Sequence, residues 1–251
     1  MADSPPQHDP ATLAGPWCAE GTEQLLAPLL DAFLPSLLKL ASIQPGERVL
    51  ILDSGPSAVV EACARRVGAD GEAHMAAGDL RELRESYWDA AVCHLGVASL
   101  PDPVATLREL HRLLRPVGRV ALSAWGLPDR VRWLGFPLDL LARRGLGFRS
   151  PERLPVFHFG APGSLSRTLA EAGYEDVTPE RVREDAVFDD FDHYWRTLRS
   201  GSSETATPLA RLSTRDLQTV RSDLERIVRP YTHRDGHLFL PMEALIVAAV
   251  K

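Results

Sequence analysis

The sequence predicts an α/β fold, a doubly wound, mainly parallel sheet with helices on both faces. Three observations carry this reading. Short apolar runs recur at residues 48–53, 89–95 and 119–125, as strands buried on both faces require. Apolar residues at helical spacing fill 58–67 and 103–115 between them. Turn residues mark the changes, at Pro45-Gly46, Gly68, Asp102-Pro103 and Pro116-Val117-Gly118. Strand, helix and strand in alternation favour parallel pairing, because the return crossover must lie over a face of the sheet.

Taken in order, residues 20–40 place leucines and Phe33 at helical spacing, and Pro28 and Pro35 break the stretch into one or two short amphipathic helices. Residues 1–42 are read as a tail and covering helices, and 43–251 as one α/β domain. The strand at 48–53 passes at once into a helix over 58–67, with Ser57 available as N-cap and Gly68 just past its end. Asp102-Pro103 starts the helix that presents Val104, Leu107, Leu110, Leu113 and Leu114 on one face. Residues 128–147 look helical, with Gly135 and Pro137 as interruptions. Ser164 can cap a helix over 165–172, a strand follows at 177–182, and helices are expected at 189–199 and 214–228. These last form a helical insertion at about 187–231. Residues 238–240 and 244–250 close the chain as a final hydrophobic strand.

Composition narrows the function. Lys and Arg number 28 against 34 Asp and Glu, a net charge of −6 with no basic block, so no field attracts a phosphate backbone and nucleic acid is not an expected partner. Cys18, Cys63 and Cys93 are far apart and form no C-x-x-C pair. The first ten residues lack the basic and apolar regions of a signal peptide. The most apolar stretch, 25–41, is interrupted by Pro28, Asp31, Pro35 and Lys39. No membrane insertion and a cytoplasmic location are expected.

Several signals then coincide in order: Pro45-Gly46-Glu47-Arg48-Val49-Leu50, Asp53-x-Gly55, Gly78-Asp79, Trp88-Asp89-Ala90-Ala91-Val92-Cys93, and the run Leu107-Arg108-Glu109-Leu110-His111-Arg112-Leu113-Leu114-Arg115-Pro116. Together, over about residues 43–125, they resemble the class I, Rossmann-like methyltransferases that use S-adenosylmethionine (SAM), especially the branch acting on quinones and small molecules. The resemblance implies SAM as cofactor. It places Asp53, Gly55 and Ser57 at the cofactor turn, since a glycine turn lets backbone approach a ligand. It also implies an acid on the ribose about 20 residues further on, for which Glu72 and Asp79 are the candidates, with Leu80 beside the adenine.

The sequence departs from the family pattern in two places. Ser57 and Val59 stand where further glycines are expected, and a β-branched Val59 is expected to hinder close ligand approach. Only nine residues separate Asp79 from Asp89, too few for another helix and strand, so the second strand-helix unit is shortened. Two arrangements stay open. In one, the third strand survives and Asp79 faces the adenine. In the other, residues 72–77 form the second strand and Asp79 serves the ribose.

His94, at a strand end, is a candidate general base. Trp125, Phe157, His158 and Phe159 are candidates for the wall of a substrate pocket, against a bland reading as packing residues, and the same choice applies to His193-Tyr194-Trp195. No metal-ligand spacing occurs. Two functions follow: a SAM-dependent methyltransferase of small apolar molecules, or a pseudo-methyltransferase without SAM that binds another small ligand or regulates a partner.

Overall fold

The computed structural model describes residues 23–52, 58–76, 79–146, 150–200 and 203–251. Its centre is a six-stranded sheet in the order β2-β1-β3-β4-β6-β5, with β1 Arg48–Leu52, β2 Glu72–Met75, β3 Trp88–Cys93, β4 Leu114–Trp125, β5 Glu175–Phe188 and β6 Leu238–Val250. The pairs β1–β2, β1–β3 and β3–β4 are parallel, and β6 runs antiparallel to both β4 and β5. The sheet is therefore mainly parallel and doubly wound, as the alternating elements predict.

Side chains alternate across β1 and divide the core. Val49 and Ile51 pack with α2 (Leu34–Ala41) and α3 (Val59–Val67), together with Val92, Ala121 and Ile246. Leu50 and Leu52 face α4 (Pro103–Leu113) and α6 (Ser164–Glu171) on the other side. A third cluster covers the edge where the parallel strands end. It joins α1 (Glu23–Asp31), α5 (Arg132–Arg143), α7 (Phe191–Ser200) and α9 (Thr214–Val228), while α8 (Ser203–Ala210) contributes Leu209.

The end of the sheet explains how that third cluster is built. β4 stops at Trp125, which pairs with Ala244, yet β6 and β5 continue pairing from Glu243 and Arg183 to Leu238 and Phe188. These extra residues carry the two strands about 20 Å beyond the edge. Ala186, Phe188, Leu238, Leu240 and Met242 of this arm support the helices that lie between β5 and β6.

Between β2 and β3 the described residues hold one short 3₁₀ turn, Leu80–Glu82, and no α-helix. Of the two arrangements open from the sequence, the strand placement is that of the second: residues 72–75 are the strand beside β1, and β2 is the sheet's outer strand.

Candidate active site

Parallel strands end at one edge, and in such sheets ligands bind beyond the strand ends, here where β1, β2 and β3 finish. Asp53, Gly55 and Ser57 lie outside the described residues. The structure resumes at Ala58, the N-cap of α3, which has no side-chain cap of its own. Its N–H instead donates to Asp31 Oδ1 at 2.9 Å, from the last residue of α1. Burial raises the Asp31 pKa above the usual carboxylate value against the lowering effect of this bond, and the Glu61 charge adds to the rise.

Val59 requires a correction. It is fully buried in the first turn of α3, among Val49, Ile51 and Ala62, so its branched side chain points into the core. The obstruction expected from the sequence required Val59 to face the ligand, and this side chain faces the core instead.

The two candidate ribose acids separate. Glu72 pairs with Arg48 at the first residue of β1. It thus lies at the opposite edge, about 13 Å along the strand from the cofactor end, and there it accepts a hydrogen bond from Tyr87 Oη at 3.1 Å. That position does not bring it to the cofactor end of the sheet. Asp79 follows the end of β2 and caps the 3₁₀ turn by accepting from Arg81 N at 3.0 Å. Arg81 Nε lies 2.9 Å from both carboxylate oxygens, and these bonds hold the Asp79 pKa down at about 2. Leu80 is half-buried against the β3–α4 side of the sheet.

His94 lies immediately past β3, but it is 3% exposed with both nitrogens engaged. Nε2 is 3.0 Å from Leu30 O and Nδ1 is 3.0 Å from Ser123 Oγ, which also accepts from Leu95 N at 2.9 Å. Leu30 O can only accept, so Nε2 carries the proton and Nδ1 receives the Ser123 hydroxyl hydrogen. Burial lowers the imidazole pKa to about 4. A base needs a nitrogen within reach of substrate; here α1 lies over the ring, and the catalytic role gives way to anchoring that helix.

The aromatic candidates resolve mostly into packing. Trp125 is buried against Phe33, ring centroids 5.6 Å apart and edge to face, and against Trp133 at 6.0 Å. Phe157 and Phe159 are buried on different faces of the structure, leaving His158 exposed with its ring 4.7 Å from that of Phe159. Gly160 explains this loop's position: a Cβ there would stand 2.8 Å from Gly126 C and Leu127 N, so the two loops cross in backbone contact. Tyr194 is fully buried and donates to Trp133 O at 2.7 Å, and Trp195 is buried beside it.

Sequence reasoning missed Asp31 and Ser123. Asp31 is a lone acid within the leucine-rich stretch 25–41, and a charge there is a legible sign of a buried partner.

No group of three or more His, Cys, Asp or Glu among the described residues is placed to hold a metal. No single described helix is long and apolar enough to cross a membrane, and α1 and α2 are bent 47° to one another.

Comparison with known proteins places this edge in context. Residues 35–122 match the family described as a methyltransferase domain. A curated relative, nocamycin O-methyltransferase of Saccharothrix syringae, is 26% identical over 178 residues, covering 56% of this chain and 64% of that protein. The chain therefore spans less than two thirds of the curated relative it matches. A Bacillus halodurans protein provisionally identified as a methyltransferase superposes with a TM-score of 0.51 at 15% identity, covering 87% of this chain and 98% of that one. A SAM-dependent methyltransferase of Archaeoglobus fulgidus gives 0.44 at 16% identity, over 89% and 94%. Residues 35–122 are thus a methyltransferase domain, set in a chain with the class I, Rossmann-like methyltransferase fold.

Proposed function

We propose that the chain is a SAM-dependent methyltransferase that methylates a hydroxyl oxygen on a small, largely apolar molecule. The observation that carries the reading is Asp79: an ionised acid just past the end of β2, at the edge where β1 turns into α3. A carboxylate there suits a pair of ribose hydroxyls as donors, and half-buried Leu80 beside it suits the flat face of an adenine. Among the described residues, Asp79 and Leu80 fit the cofactor. Oxygen as the acceptor is suggested by the O-methyltransferase among the relatives.

SAM supplies an electrophilic methyl on a sulfonium, so the protein's part is chiefly to orient and to exclude water. Leu26 of α1 and Phe33, between α1 and α2, close over the strand ends with Trp125 and Trp133. His94, neutral at physiological pH, anchors this cover without adding a positive charge to it.

The alternative, a protein that has lost SAM, is favoured by one observation: Arg81 already occupies both Asp79 oxygens. Release of S-adenosylhomocysteine from SAM, measured across small molecules bearing phenolic or enolic hydroxyls, decides between them. Acceptor-dependent release is expected; bound cofactor with no release over any acceptor contradicts methyl transfer.

A further inference from the structure

We propose that two copies of the chain pair through the outer edge of β2, antiparallel about a two-fold axis at Ala73, so that their two sheets run on as one.

β2 is one of the sheet's two outer strands, and among the described residues no strand pairs with its free side. Glu72 N donates to Glu47 O at 2.9 Å and Ala76 N to Ile51 O at 2.8 Å. The alternate groups therefore point away from β1: the N–H of Ala73 and Met75, and the C=O of Gly71, Ala73 and Met75. A two-fold axis at Ala73 pairs these groups with their copies and matches side chains on both faces. On the face towards α4 it sets exposed His74 opposite the partner's Glu72, twice over. An imidazole can donate to a carboxylate in either of its charge states. On the face towards α3 it sets Met75, 50% exposed, over the partner's Gly71, which has no side chain to displace. An axis at His74 would instead set the two imidazoles against each other.

Gly71 also fixes the level of α3, since a Cβ there would stand 2.5 Å from Val67 Cβ. At about 3.3 Å per strand residue and about 1.5 Å per helix residue, Ala73 is level with Cys63. α3 buries Ala62 and Cys63, and the right-handed crossover from β1 to β2 turns the flank bearing Val60 and Ala64 outward, past β2. Val60 is half-buried and Ala64 exposed. The axis brings the two α3 helices side by side, antiparallel and two strand spacings or about 10 Å apart, which is helix-packing distance. The first turn of each, with Glu61, comes level with the last turn of the other, with Arg65 and Arg66.

A four-residue strand and one helix flank are a small contact beside the standard of about 1,600 Å², so the dimer is expected to dissociate on dilution. Sedimentation velocity of the full chain, without ligand, is expected to show monomer and dimer exchanging between about 1 and 300 μM. Ala73→Pro removes only an outward N–H, which an edge strand tolerates. It is expected to weaken the dimer at least about tenfold with thermal unfolding little changed, as are Met75→Lys and, by facing the partner's Glu72 with a like charge, His74→Glu. Monomer at every concentration overturns the proposal. So does a dimer that Ala73→Pro and Met75→Lys both leave unchanged, which would put the contact on another surface. If Ala73→Pro does not fold, Met75→Lys decides, because that side chain is already half in solvent. A dimer weakened by these two variants but not by His74→Glu overturns the register about Ala73.

Discussion

The His94 ring has its two nitrogens spent on Leu30 and Ser123, and this sets a pH dependence whose sign can be worked out. Burial depresses the folded pKa to about 4, below the ordinary 6.5, so the unfolded chain binds the extra proton between those values. The stability contributed by neutral His94 is therefore complete above about pH 6.5 and is lost as the pH falls towards 4, by roughly 3 kcal/mol in all. Urea unfolding of the full chain between pH 4.5 and 7.5 should show that slope, and His94→Gln should flatten it; an equal slope in the variant contradicts the assignment. The sequence placed His94 at the strand end because its position follows from the length of the run before it. Its role was hidden because Leu30 is 64 residues away, and no local pattern announces a backbone carbonyl as the partner. Val59 was misjudged for a related reason. The helix over 58–67 was read correctly, but Val59 was expected to face the ligand, whereas the first turn points it inward.

At the level of elements, legibility followed burial and capping. Asp102-Pro103 announced α4 correctly: Asp102 accepts from Ala105 N at 2.9 Å and Pro103 opens the helix. Asp102→Ala should cost about 1 kcal/mol, or about 2–4 °C in a chain of this size. Thermal unfolding checks this against Asp70→Ala, an exposed acid in the turn after α3, which should change little; equal shifts in the two contradict the capping account. The helix over 214–228 was read with its bounds intact, and Ser213 caps it by accepting from Asp216 N. β5 was recognised only over 177–182. It is 14 residues long, and most of it is exposed on both faces, so charges such as Glu180, Arg181, Arg183, Glu184 and Asp185 erase the period of two that marks a half-buried strand. The same charges, with Pro179, suit an outer strand that must not pair with another chain. Glu243 of β6 is the exception among these, buried and held by Arg183 at 3.0 Å and Arg181 at 3.5 Å. α8 was not foreseen, since Pro208 lies within it and Thr205 and Thr207 weaken the helical signal.

Across the whole molecule, β1, β3 and β4 were legible because their parallel runs are buried on both sides, whereas partly exposed β2 left two arrangements open. The long arm of β5 and β6 was not legible, although it decides where the helices between them sit. Its effect is to raise a cover over the strand ends, closed on the other side by α1, so that this cover is assembled from opposite ends of the chain. Residues 53–57, proposed to meet the cofactor, and Asp79, proposed to hold its ribose, are the points on which the proposed activity depends, and calorimetry of the unmodified full chain with S-adenosylhomocysteine addresses them most directly. Saturable one-site binding, weakened about tenfold or more by Asp79→Ala, is the predicted result. No heat at millimolar ligand, or unchanged binding in Asp79→Ala, would contradict it.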